Sequence, residues 1–349
     1  MIFPLLRGLL WFHRAPVTWI MVALNVGMFA LTFPAYIAAD QAIEDIIDNE
    51  AFIATNGLLF AATMDVSKEP ESVRLLSKRT LEGNEDAKQL LGHLAFRRAD
   101  FMGKMKAELR AKALEKTTDA RTTASASVSA FSQLPGDQVL IEAWHKSIER
   151  LWSIQQVHPS YRMGLSDGNS NPLRWFTYQI THSGAVHLFW NMLFLLLFGT
   201  FIEHTRGSKA MAATVWAGGF GGAFAFVLLS GLTASPMVGA SAAVSSLIAM
   251  AASDTKRRLP FVYWLLPFRG YYGVAWLPAW VLIPGFVLPD LSGWLSSQPG
   301  LSGVAYTAHI GGAVVGFALG LYFKPRAEAF QELAQGVTGT AASSTKFAA

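Results

Sequence analysis

The sequence predicts an all-α membrane protein: a six-transmembrane-helix bundle with a long extracytoplasmic insert, mostly helical or disordered, between its first and second helices. Three observations carry that expectation. Apolar residues make up 52% of the 349-residue chain and charged residues only 15%, a balance that soluble domains of this length rarely show. The apolar excess is concentrated in residues 17–38 and 175–323, with a polar, charge-mixed stretch between them. Within those regions hydropathy rises over about six runs, several of which approach the roughly 20 residues needed to cross a bilayer core.

The runs fall near 17–38, 182–202, 210–232, 241–253, 272–290 and 304–323. The first opens after Arg14-Ala15-Pro16, and proline at a helix start leaves no needed N–H unpaired. A signal peptide is the other reading of this run, but it is long for one and a multispan chain comes after it. Residues 39–172 form the insert. In it Leu140, Trp144, Ile148, Leu151 and Trp152 recur at helical spacing, which predicts an amphipathic helix packed on a small external domain or lying in the membrane interface. Met102, Met105 and Leu109 make a weaker stripe, and Thr117–Ser132 reads as a flexible linker. His93, His145 and His158 read as lone histidines, without metal-ligand spacing. The absence of cysteine removes disulfides, a thiol nucleophile and thiolate metal sites. The fifth run carries Pro278, Pro284 and Pro289, which predicts a bent helix. The chain thus divides into a cytoplasmic N-terminus with the first helix (1–38), the insert (39–172), a core of five helices (173–323) and a cytoplasmic tail (324–349).

Placement of charge matters more than its net value of +4. Arg7 and Arg14 precede the first run, Arg206 and Lys209 separate the second and third, Lys256, Arg257, Arg258 and Arg269 separate the fourth and fifth, and Lys324 and Arg326 follow the sixth. The alternate short loops, near 232–238 and 290–303, hold no lysine or arginine. By the positive-inside rule both termini are cytoplasmic and the insert faces outward.

Against this background a few polar residues stand out. The fourth run has about twelve residues between Ser241 and Asp254, roughly 18 Å of helix. That is too short for a core of ~30 Å, so irregular chain around Pro236 must dip in to meet it. Ser241, His309 and Asn191 each lie fifteen residues before a basic marker (Lys256, Lys324 and Arg206), which puts all three at one level, roughly 22 Å above the inner face. Small residues at 241, 245, 249 and 253 are expected to face Gly312, Gly316 and Gly320. Packing accounts for those stripes but not for a histidine one turn above the glycines and a serine at the top of the facing helix. Intramembrane polar groups of this kind need a functional reason.

Four motifs in order resemble those of the rhomboid family of intramembrane serine proteases: His182-x4-His187-x3-Asn191, Gly199-x3-Glu203-x3-Gly207, Gly239-Ala240-Ser241, and Ala308-His309-x2-Gly312-x3-Gly316. The likeness covers residues 172–323 well, 16–35 weakly, and the insert not at all. It implies a rhomboid-like bundle in which Ser241 is the nucleophile and His309 the general base, a dyad without a carboxylate partner. It also implies an oxyanion site made by His187, Asn191 and the Ser241 N–H, with Gly239 supporting the motif. His182, nearer the outer surface, holds the loop, controls water access or is structural. Glu203 and Arg206 are expected to tie the cytoplasmic loop, and the fifth helix with the loop after it to form a lateral gate and cap. The chemistry agrees: a serine hydroxyl needs an adjacent base to attack an amide, and the oxyanion needs fixed donors in a shielded place.

Two features depart from the family pattern. Ala242 stands where glycine usually follows the nucleophile, and Leu173-Arg174-Trp175 replaces a tryptophan–arginine order in the first external loop. The expected function is hydrolysis of peptide bonds in or near transmembrane helices. The alternative is a catalytically inactive relative that binds such helices, for which Ala242 is the one supporting feature. A transporter is disfavoured because no acidic residue falls in the interior of the six runs and no inverted repeat is visible. The implied partners are single-span membrane-protein substrates and the lipid bilayer, with no nucleic acid and no cofactor. Without an arginine- and serine-rich presequence or an N-glycosylation sequon, a bacterial inner membrane is the expected location.

Overall fold

Helices dominate the chain, and two charged side chains fix how the apolar ones meet. The computed structural model describes residues 2–4, 14–107, 138–166, 171–229, 235–264, 272–296, 304–326 and 328–329. The linker expected at Thr117–Ser132 and Leu109 of the methionine stripe lie outside them. Helix α1 (Pro16–Ile47) is 32 residues long. At 1.5 Å per residue that is about 48 Å, so it outruns a ~30 Å bilayer core and carries the chain from the first apolar run directly into the insert.

In the insert, α2 (Glu50–Thr63), α3 (Glu71–Leu81), α4 (Glu85–Phe96) and α5 (Gln138–Val157) share a core of their own, centred on Phe60, Leu91, Phe101 and Trp144. Asn49 and Asn84 start α2 and α4, their side chains accepting from Phe52 N (3.0 Å) and Ala87 N (2.8 Å). Trp144, Ile148 and Leu151 of the expected stripe are buried here, whereas Leu140 stands exposed and Ile141 is buried instead. The apolar face of α5 is therefore covered by protein. Asn56, inside this core, is satisfied on both sides: it accepts from Trp144 Nε1 (3.3 Å) and donates to Gly92 O (3.2 Å). His158 is not a lone histidine. It is buried, its Nε2 lies 3.0 Å from Asp40 Oδ1 on α1, and its Nδ1 accepts from Ser160 N (3.1 Å).

The remaining apolar helices are α6 (Ala185–Arg206), α7 (Ser208–Leu229), α8 (Ser241–Ala252), α9 (Leu288–Ser296) and α10 (Tyr306–Tyr322). Among the described residues four segments are long and apolar enough to cross a membrane: Pro16–Ile47, Ala185–Arg206, Ser208–Leu229 and Ala279–Ser296. Helices α8 and α10 are apolar but shorter. Helix α8 is the most enclosed, with every residue from Ser246 to Ala252 buried, because its small side chains let α6, α7 and α10 close around it. A Cβ on Gly312 would strike the carbonyl of Ala242, and one on Gly316 that of Ser246. The face of α8 that meets α10 is therefore Ala242, Ser246 and Met250, one residue on from the expected positions 241, 245 and 249, while Gly320 meets the Ser253 side chain as expected. The shift has a plain cause: at Gly312 and Gly316 the contacts are made with backbone carbonyls, while the Ser241 hydroxyl is taken up by His309 one turn above.

At the base, Glu203 caps α1. Its Oε2 accepts from Thr18 N (2.8 Å) and Thr18 Oγ1 (2.8 Å), while Oε1 accepts from Val17 N (3.0 Å) and from Ser208 Oγ at the start of α7 (2.7 Å). A carboxylate at a helix N-terminus satisfies orphan N–H groups and complements the helix dipole. Arg206 does the converse, donating to Phe323 O (3.0 Å) and Met250 O (3.3 Å) at the C-terminal ends of α10 and α8. The expected loop tie is thus a helix-terminus clamp joining α1, α6, α7, α8 and α10 at one end.

Two expectations are corrected at this same end. The chain is mostly helical but not all-α: strands β1 (Ile2–Pro4), β2 (Arg258–Trp264) and β3 (Tyr272–Pro278) form an antiparallel sheet in the order β1-β2-β3. The fifth run therefore starts as a strand, and its helical part is Ala279–Ser296 rather than 272–290. Pro278 ends the ladder, and a π-helical turn at Ile283–Val287, around Pro284, precedes α9. Asp290 consequently lies inside an apolar helical segment, contrary to the expectation that no acidic residue falls there.

Candidate active site

The site is built on a loop that four neighbours hold in place. Residues 235–240 lead into α8, and Leu165 and Met237 exchange both backbone hydrogen bonds across it (2.9 and 2.7 Å). Gly239 N donates to Tyr178 O (2.8 Å), and Tyr178 Oη in turn donates to Gly219 O on α7 (2.6 Å). Ala240 N points at His182 Nε2 (3.5 Å), so His182, buried, braces the loop. Gly239 has φ +115°, and a Cβ there would lie 2.7 Å from His187 Cε1 and 2.8 Å from its Nε2. Only glycine meets both conditions.

Ser241 is the first residue of α8, where N–H groups have no intrahelical acceptor. Its Oγ lies 2.9 Å from His309 Nε2. The other ring nitrogen, Nδ1, lies 2.9 Å from Asp290 Oδ1. The side chains of His309 and Asp290 are 18% and 20% exposed, enough shielding to strengthen both bonds over their value in water. One turn below, Gly312 lets the α10 backbone reach α8 and so brings His309 within range of Ser241.

His187 and Asn191 rise from α6 beside Gly239, one turn apart. The His187 Nδ1 sits 2.9 Å from Ser183 Oγ. When that hydroxyl donates, the ring proton is on Nε2, which faces the Gly239 backbone. Asn191 Nδ2 spends one N–H on His187 O (3.0 Å), leaving a second. The His182 and His187 rings meet edge-on at 5.2 Å. All six residues singled out from the sequence (Ser241, His309, His187, Asn191, His182 and Gly239) therefore fall in one cluster.

Three contributors go beyond the sequence reading. Tyr178 and Ser183 act through contacts that no spacing reveals. Asp290 has a signal, a lone carboxylate at the edge of an apolar run, but its position there reads as the start of a loop. The methyl of Ala242 is buried against Gly222 and belongs to a cluster with Tyr178, Phe226 and Ala308, so it fills the α7–α8–α10 junction. In the preceding loop Trp175 packs against that same cluster, and Phe176 meets Phe220 edge-on at 4.7 Å.

The arrangement is a hydroxyl with a base in contact, beside a glycine loop ringed by side-chain donors, and it suits attack on a carbonyl carbon. The family model described as Rhomboid domain matches residues 169–326, a stretch that contains the whole cluster. No match to the chain was found among curated proteins.

Proposed function

The chain is an integral membrane protein of the rhomboid family, and on that premise we propose that it is an intramembrane serine endopeptidase acting through Ser241 and His309. The observation that carries the reading is the 2.9 Å contact between Ser241 Oγ and His309 Nε2. In the first step Nε2 takes the hydroxyl proton as Oγ bonds to the scissile carbonyl carbon. The carbonyl oxygen, now anionic, is received by the Ser241 N–H, the His187 Nε2–H and the free N–H of Asn191, each fixed before substrate arrives. His309 then gives its proton to the departing amine, leaving an acyl-enzyme. Water, deprotonated by the same nitrogen, hydrolyses it and restores the hydroxyl.

The substrates we assign are single-span membrane proteins with helix-weakening residues near their outer end. A helix reaching Ser241 from the lipid has a route between α6 and the Ala279–Ser296 segment. There the packing we see is Phe286 against Phe194 (5.5 Å) and Phe198 (6.1 Å). We further propose six crossings with both termini cytoplasmic, in a bacterial inner membrane with the insert outside. The directions about the Glu203–Arg206 clamp, away from it for α1 and α7 and toward it for α6, α8 and α10, support that path.

The test is labelling of the detergent-purified protein by a fluorophosphonate, alongside cleavage of a model membrane helix. Wild type is expected to label and cleave, and Ser241→Ala and His309→Ala to do neither. A folded wild type that does neither would shift the reading to an inactive protein that binds transmembrane helices.

A further inference from the structure

Asp290 is the single charged residue in the apolar segment Ala279–Ser296. A carboxylate within an apolar membrane segment is costly unless it finds a partner. Its partner is the ring nitrogen of His309 that does not face Ser241. The two 2.9 Å contacts lie at opposite edges of one imidazole and make a continuous line from Ser241 Oγ through His309 to Asp290 Oδ1.

The helices are shaped to hold that line. Gly293, three residues after Asp290, lies so close to the ring of Tyr306, three residues before His309, that a Cβ would collide with it. The contact seats α9 on α10 one turn away from the Asp290–His309 pair. The π-helical turn at Ile283–Val287 adds a residue to the preceding turn, which rotates α9 by about 100° and so selects the face of that helix that meets His309.

We propose that Asp290 is the positioning residue of the base, so that the site works as a Ser–His–Asp line rather than a pair. The proposal rests on the reading of Ser241 and His309 as the reacting groups. An ionised carboxylate offers only acceptors, so it holds the His309 proton on Nδ1 and leaves the Nε2 lone pair directed at the Ser241 hydroxyl. When Nε2 takes the serine proton, the imidazolium forms beside a fixed negative charge. The Nδ1 proton stays on the ring throughout and Asp290 stays ionised. Because Asp290 rides on a different helix from His309, the base is fully oriented only while α9 is seated on α10.

The test uses the full chain in detergent micelles with ring-¹⁵N histidine, assigning His309 by difference from His309→Gln. In wild type the neutral ring is expected to carry its proton on Nδ1. In Asp290→Asn and Asp290→Ala that preference is lost. In parallel, kcat for a membrane-helix substrate is expected to fall about 10²–10⁴-fold in Asp290→Asn, with KM within about threefold of wild type and partial recovery in Asp290→Glu. Asp290→Ala guards against a folding defect in the asparagine variant, since removing a charge from an apolar segment does not oppose insertion. An unchanged tautomer with unchanged kcat overturns the proposal and leaves the protease reading intact. A wild type that never labels, but whose Nδ1 proton still depends on Asp290, sinks the protease reading and keeps the positioning contact.

Discussion

Gly239 shows how little tolerance the site has. Its φ of +115° is a region that other residues enter at a cost of about 1–3 kcal/mol, and any Cβ would press on the His187 ring. Gly239→Ala is therefore expected to displace His187 and lower the rate of fluorophosphonate labelling about 10²–10³-fold, the usual effect of losing one oxyanion donor. Thermal unfolding in detergent should show that the variant remains folded. Labelling at the wild-type rate would mean that His187 does not serve the oxyanion. Ser241, His309 and Asn191 stood out in the sequence because three polar residues share one level in lipid-length runs, and His187 because its motif resembles the family's. Asp290 was not, because its meaning depends on where a helix ends, and Pro289 beside it reads as a boundary. Glu203 was visible as part of a motif, yet its partners Val17 and Thr18 are some 185 positions away, and only the fold brings them to it.

The helices themselves explain which substitutions the bundle tolerates. At Gly312 and Gly316 the α8–α10 contacts are backbone to backbone, so nothing flexible there can yield to an added atom. Gly316→Ala would place its methyl within the radius of the Ser246 carbonyl oxygen, and overpacking of that kind typically costs about 1–3 kcal/mol. We expect a lowered unfolding midpoint in a detergent-denaturation series, together with weaker labelling as His309 is pushed off Ser241. Gly285→Ala, where a Cβ meets nothing within 4 Å, is the control and should change neither. Helix α8 was readable as a short element entered by irregular chain. The sheet was not, since β2 and β3 are apolar runs that periodicity alone does not separate from helix, and β1 pairs with β2 across some 260 residues. The one-residue offset of the α8 seam was likewise beyond a spacing argument, which identifies small residues but not whose carbonyls they touch.

At the level of the whole molecule, two units with separate cores share α1. The insert carries a surface cluster in which Arg98 donates to both oxygens of Glu69 (2.9 and 2.8 Å) and to Asp100. Asp100 is held below the usual carboxylate range, first by the Arg98 hydrogen bond, against partial burial that pushes the other way, and then by the Phe101 N–H. A lowered carboxylate contributes its stability fully above the unfolded value of about 4, and that contribution is lost as pH falls through the lower folded value. Amide exchange at Phe101, corrected for intrinsic rate, should therefore lose protection below pH ~4 in wild type, while Asp100→Asn should lack that step. The sidedness of the two units is tested by an impermeant maleimide on intact cells. A cysteine at Lys78, whose side chain is 75% exposed, should label from outside, and one at Arg257 only after lysis. The reverse pattern would sink the orientation.

The paired backbone bonds between Leu165 and Met237 join these units at a place that matters, four residues before Ser241. Binding at one end of such a clasp and binding at the other are thermodynamically reciprocal. Any molecule that grips the insert near residues 159–166 and prefers one placement of Met237 changes the affinity of Ser241 for an inhibitor, and the inhibitor changes that grip by the same factor. On the proposed topology the insert is in this sense a handle on Ser241, reachable from the water while Ser241 itself lies within the lipid.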